Sequence, residues 1–299
     1  MLKYAWQLAA VGYKDNSENY RKKQQYKIVF NVLVSPYFSK NWFKMLQSDI
    51  FKEIFKVRPQ LYIKPYRPYI CTSWSKQKRI EILQNSYKIL QTKPQLYKKL
   101  IIDNQDIILS KFILADGREY IVKFGYNFRF RKEGEFVLLF ETTDDLSEKQ
   151  IVALAFSFDF TETEDIKILI GCIQGRQNNK ELKSLQKLMF GLRPKSFILY
   201  TLQWFGELFD IKKIYGITDK RQAHRQKHFI NIPWIHSISF NYDKFWEESE
   251  GVKVDENWYQ LPLQVQLKDI NEIKSKKRSM YRKRYALLDE IKNAINEYN

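Results

Sequence analysis

Ile166-Lys167-Ile168-Leu169-Ile170-Gly171-Cys172-Ile173-Gln174-Gly175 is a nearly continuous apolar run, the pattern of a strand covered on both faces. Its counterpart, Ile214-Tyr215-Gly216-Ile217, reads as a second, shorter strand. Between them, Leu182, Leu185 and Leu188 mark one side of a helix over about 179–190, which Gly191 breaks. Pro194 then suits the first turn of another helix, where a missing N–H costs little, and that helix runs to about Phe209. Strand, helical crossover and strand make a βαβ unit with parallel pairing.

Working back from this unit, the pattern is antiparallel. Residues 107–114 and 119–124 flank Ala115-Asp116-Gly117-Arg118, a hairpin signal because glycine tolerates φ > 0. Lys132-Glu133-Gly134 turns the chain into Phe136–Phe140, and Val152, Leu154, Phe156, Phe158 and Phe160 alternate along the next strand. The first hundred residues read mainly as helix, with candidates at the N-terminus, Tyr20–Val34, Ser39–Asp49, Ile50–Val57 and from a cap at Thr72 or Ser73 to Leu90. The prolines of the stretch at 58–70 discourage regular helix, and Pro94 closes the segment.

Working forward, Asn241-Tyr242-Asp243 and Glu250-Gly251 read as loops beside short strands. A last helix over about 270–298 places Leu288, Ile291 and Ile295 on one stripe. The fold expected is α+β: a basic helical region over 1–100, then a mixed sheet over 101–299 with an antiparallel meander, one βαβ unit and a C-terminal basic helix. The proline stretch at 58–70 or the Pro94 region is the expected seam.

The formal net charge is +17, and it is unevenly placed. Residues 1–100 hold 20 Lys and Arg against 5 Asp and Glu, and Lys274–Arg284 holds 7 cations with no acid. Clustered positive charge favours an anionic partner: a phosphorylated ligand, an acidic lipid or envelope component, or nucleic acid. No apolar run is long enough to span a bilayer, and the N-terminus lacks the pattern of a secretory signal. Cys71 and Cys172 have no second Cys or His at ligand spacing, so neither a disulfide framework nor a metal site is expected, and a cytoplasmic location fits.

Several segments occur together in an order that resembles the VirK/YbjX family of bacterial proteins. They are Ile170–Gly175, Gly191–Lys195, His224, Tyr242-Asp243-Lys244-Phe245-Trp246, Leu261-Pro262, Lys277-Arg278 and Tyr281–Arg284. The resemblance implies a context of virulence and tolerance of envelope stress in Gram-negative bacteria; it implies no particular reaction. The segment 166–218 is also similar to the coenzyme A pyrophosphate-binding region of GNAT-type acyltransferases. In those enzymes a strand, a Gly-rich turn, a helix and a further strand grip the acyl donor. Here the turn has Gly191 alone, with a whole helix between it and Gln174-Gly175, and Pro194 removes one N–H.

On that likeness, bare amides at the helix start bind a phosphate of acyl-CoA or a similar donor. Gln174, Gly175, Gly191, Arg193, Lys195 and Ser196 would form the donor site. His224, just past a strand end, is a candidate general base, and Asp243 is a candidate base or a partner that orients it. Each also has an ordinary reading: a histidine that caps a strand or pairs with a carboxylate, and an Asx turn with aromatic anchors in the core. His228 and His236 offer less. The expectations are therefore an acyltransferase-like enzyme or a non-catalytic adaptor on anionic envelope components at the inner membrane surface, touching it through Lys274–Arg284; nucleic-acid binding ranks last.

Overall fold

The computed structural model describes residues 1–144, 149–176, 179–225 and 240–298. The chain begins with four helices: α1 (Leu2–Gly12), α2 (Glu18–Val34), α3 (Pro36–Met45) and α4 (Asp49–Val57). The Ser17 side chain accepts from the Tyr20 amide to cap α2, and Pro36 opens α3 where its missing donor is harmless. The proline stretch is more regular than its composition suggests. Pro59–Tyr66 is a 3-10 helix, because Pro59 sits in its first turn. Ser75, rather than Thr72 or Ser73, caps α5 (Lys76–Gln91). Pro94 does not end the helical region but starts α6 (Pro94–Tyr97), which runs on as a π-helical turn over Lys98–Ile102.

The sheet follows as β1 (Ile107–Ile113), β2 (Glu119–Gly125), β3 (Phe136–Thr142), β4 (Gln150–Phe160), β5 (Ile166–Gly175), β6 (Lys213–Ile217), β7 (Val252–Lys253) and β8 (Trp258–Leu261). Its order is β1-β2-β3-β4-β5-β6-β8-β7, antiparallel except for the β5/β6 pair. This is the α+β arrangement with meander and βαβ unit that the apolar patterns imply. The crossover carries α7 (Asn179–Leu188) and α8 (Pro194–Glu207). Next comes α9 (Tyr242–Glu248), which corrects the loop expected there: the Asn241 side chain accepts from the Lys244 amide and so caps a helix. The last helix, α10 (Ser275–Asn296), starts later than its charge pattern suggests, after a 3-10 turn at Ile270–Glu272.

One apolar core runs from Ala5 and Leu8 through the sheet to Ile291 and Ile295. Its centre is aromatic: Phe205 of α8 packs at a tilt on Phe124 at 4.6 Å, and Phe209 likewise on Phe158 at 4.8 Å. The helical region joins this core through α5. Ser86 bonds both the N–H and the C=O of Phe158, taking up the edge of β4 where β3 has not yet begun.

Candidate functional site

The parallel pairing of β5 and β6 stops at Ile170 opposite Gly216. At the next residue β5 bulges. Phe156 pairs with Ile170 and Ala155 with Cys172, so Gly171 has no partner on β4. Only glycine fits, since a Cβ there would collide with the Glu133 carbonyl. Beyond the bulge β5 runs on to Gly175, while the chain after β6 turns away through 3-10 turns at Asp219–Arg221 and Ala223–Arg225. The two strands therefore part. The space between them is filled from α9, whose Tyr242 hydroxyl donates to the Ile173 carbonyl at 3.4 Å and accepts from Gln222 at 3.2 Å. Gly216 lets the Trp246 ring lie against β6, where the indole N–H bonds the Ile217 carbonyl at 2.8 Å and fixes α9.

On one side of this parting lies a cleft of about 340 Å³ between the starts of α8 and α9 and the side of α7. Gly175 and Val152 line it, and Lys183, Arg193, Lys195 and Lys244 contribute positive charge against Glu248, the one acid of its lining among the described residues. No side chain caps the start of α8 among the described residues, so the Lys195 and Ser196 amides have no hydrogen-bond partner there. Lys195 lies 3.2 Å from the Phe240 ring centre, and burial pulls its ammonium down to about 8. Arg193 forms a 2.6 Å ion pair with Glu248, with both side chains exposed.

On the other side is a pair of titrating groups. Glu133, in the turn before β3, is 1% exposed, and burial pushes its carboxyl up to about 7. His224 Nε2 meets its Oε1. Besides His224, only the backbone amides of Lys132 and Glu133 itself approach the carboxyl among the described residues; no other side chain donates to it. Cys172 lies between the two sides and feels both the Glu133 carboxylate and the Lys195 ammonium. Burial raises its thiol to about 12, and the Tyr242 hydroxyl sits beside it.

A strap from the helical region holds this pair in register. Ile70 N–H bonds the Lys132 carbonyl at 2.7 Å, Thr72 N–H bonds the Arg221 carbonyl at 2.8 Å, and Cys71 bridges to Gln222. Ile70 takes φ of 50°, a left-handed conformation that a branched side chain rarely adopts, and it is fully buried.

The residues singled out from the sequence separate into groups. Gly175, Arg193 and Lys195 line the cleft. Gln174 lies in β5 opposite Ala153, and Ser196 faces a different hollow with Tyr200 and Gln203. Gly191 takes φ of 80° beneath Arg284, whose guanidinium bonds the Phe190 carbonyl. His224 meets Glu133 rather than Asp243; Asp243 instead accepts from the Asp219 amide at 2.7 Å. His228 and His236 lie outside the described residues. Glu133, Tyr242 and Cys172 were not foreseen. Of the seven cations in Lys274–Arg284, Arg278 and Arg284 are spent on backbone carbonyls and the lysines are exposed.

The fold and site define an α+β protein with a mixed sheet, whose parallel pair parts beside a cationic cleft and a buried Glu–His pair. Residues 17–297 match the model of a family described as "Protein of unknown function (DUF535)", and the chain belongs to that family. It is similar to "Uncharacterized protein YbjX" of Escherichia coli (strain K12), with 25% identity over 277 residues, 91% of this chain and 82% of that one. It is also similar to an "Uncharacterized protein" of Haemophilus influenzae, 37% identical over 139 residues, 46% of this chain and 45% of the other. A second Haemophilus influenzae protein is 35% identical over 147 residues, 48% and 47% of the two chains. These matches show the VirK/YbjX membership that the ordered motifs suggest. No solved structure matches. No helix among the described residues is long and apolar enough to cross a membrane.

Proposed function

We propose that the chain is an acyltransferase-like enzyme that takes its acyl group from a phosphate-bearing donor such as acyl-CoA. One observation carries the reading: a cationic cleft and a buried carboxyl with a near-neutral pKa lie on either side of a parted parallel strand pair. The cleft fits the donor's charge. It offers the uncapped amides at the start of α8 together with Lys183, Lys195 and Lys244, although Glu248 offsets Arg193. A bound donor supplies an activated acyl carbonyl. Glu133, held near neutrality, takes the proton of an attacking amine or hydroxyl, and His224 shares that proton. The Tyr242 hydroxyl, which accepts from Gln222, would serve as the acid for the leaving group. Asp243 positions the turn after β6 through Asp219.

A thermal-shift screen with coenzyme A, acyl-CoAs, nucleotides and short DNA tests this. The reading expects stabilisation by acyl-CoA that Lys195→Ala with Arg193→Ala removes, and slow thioester cleavage that Glu133→Gln abolishes while leaving the shift intact. Absence of any shift with coenzyme A or its thioesters sinks it. The exposed lysines of α10 support a second reading, a non-catalytic binder of anionic envelope components at the inner membrane surface.

A further inference from the structure

A second hollow, of about 610 Å³, lies in the helical region between α2 and the turn that leads to Glu133. Lys27, Arg67, Arg131 and Lys132 line it, and none of the four makes an ion pair among the described residues. Arg67 bonds the Gln24 side-chain oxygen at 2.7 Å, and Arg131 bonds the Phe128 carbonyl at 2.9 Å, so both guanidinium groups are aimed without being neutralised. Burial and the neighbouring Arg67 both press Lys27 below its ordinary value, a sign of positive charge awaiting a counter-charge.

The rim of this hollow is apolar and faces outward. Tyr26 is 65% exposed and Phe30 67%. The same face continues through Leu33 and Val34 to Tyr37, which is 80% exposed. These positions share the outer side of α2 and the start of α3, with Lys22 and Lys23 beside them at the basic end. An exposed apolar stripe of this size on a helix, flanked by cations of which Lys22 pairs with Glu18, has the composition of a segment that lies in a bilayer interface.

We propose that this hollow holds the phosphate-bearing head of an anionic phospholipid while the outer face of α2 rests on the bilayer. Charge favours a bilayer over a protein partner. The helical region carries 20 Lys and Arg against 5 Asp and Glu, and two of those cations, Lys27 and Arg67, surround one opening together with Arg131 and Lys132 of the turn before β3. The inference stands apart from acyl transfer and involves different residues from the α10 lysines.

Flotation of the full chain with phosphatidylcholine vesicles, with and without phosphatidylglycerol, tests it. Binding only to the anionic vesicles is expected. A drop of about tenfold or more is expected in Lys27→Glu with Arg131→Glu, and separately in Phe30→Ser with Leu33→Ser. Thermal melts should show each variant folded. The second pair replaces exposed side chains, so it stays informative if the charge variant folds poorly. Soluble glycerol phosphate should compete only weakly. If it displaces the vesicles fully and the Phe30/Leu33 variant binds like the parent, the hollow takes a free phosphate compound and the lipid proposal falls. It falls equally if no vesicle binds, or if binding survives both variants and is lost in Lys276→Glu with Lys277→Glu.

Discussion

Glu133 and Glu135 are two residues apart in one turn, both essentially buried, and their surroundings are opposite. Glu135 is fully engaged. Lys64 meets one carboxyl oxygen, and the Tyr87 hydroxyl donates to the other at 2.7 Å. Arg58 in turn donates to that hydroxyl at 2.6 Å and stacks over Tyr126 at 4.2 Å. The Glu135 amide bonds Ser157, which is also bonded to Tyr69. Glu133 has His224 and the local amides of Lys132 and Glu133, and no other side-chain donor among the described residues. A saturated buried carboxylate fastens helices to a sheet; an unsaturated one is left able to hold or release a proton.

The sharpest way to break this contrast is Glu135→Ala. It strands Lys64 without its counter-charge and Tyr87 without its acceptor, so a loss of ~3–5 kcal/mol is expected in urea unfolding. Replacing Lys64→Met together with Glu135→Leu should recover most of that loss, because no lone charge then remains buried. A cost below ~1 kcal/mol for Glu135→Ala would make the two glutamates equivalent and end the comparison.

Glu133→Gln should act in the opposite direction. The folded carboxyl is raised to about 7 from its ordinary 4.5, so the neutral form is the one that folding favours. That destabilisation is complete above pH 7, shrinks as pH falls through 7 toward 4.5, and is absent below. The amide variant should therefore be more stable than the parent by ~1–2 kcal/mol at pH 8 and level with it near pH 4.5. Thermal melts at both pH values read this out. A variant less stable at pH 8 would place Glu133 with Glu135 among the fasteners.

Arg193→Ala gives the smallest effect and a useful baseline. Its pair with Glu248 is exposed, so the change in stability should stay within ~0.5 kcal/mol, and any effect should appear in ligand binding. A larger loss of stability would mean that the cleft wall, rather than the ligand, depends on this cation.

The sheet was legible because alternating and continuous apolar runs leave few alternatives: Val152 to Phe160 and Ile166 to Ile173 became β4 and β5, and β5 pairs in parallel with β6 as the βαβ pattern implies. The Gly191–Ser196 turn was legible as a helix break and restart. Glu133 was not. An acid beside glycine in a turn reads as solvated, whereas here the distant bulge at Gly171 and the strap at Ile70 pack against its turn. Its partnership with His224 spans the chain, and local spacing carries no trace of such a contact. The helix at Tyr242 did leave a signal, since Asn241 ahead of an amphipathic heptad is a capping pattern. Reading Asn241 as a turn residue hid it. The exposed face of α2 was equally hidden, because an apolar half-helix in a globular chain is ordinarily assigned to the interior.

The short run from Ile70 to Thr72 acts as a spacer between the loop that carries the acid and the loop that carries the imidazole. The helical head therefore sets a distance inside a site built on the sheet. A shortened chain beginning after this run would keep Glu133 and His224 but lose the gauge between them, and it would lose Lys64, the counter-charge of Glu135, as well; trimming the head would therefore disturb the pair and the sheet together.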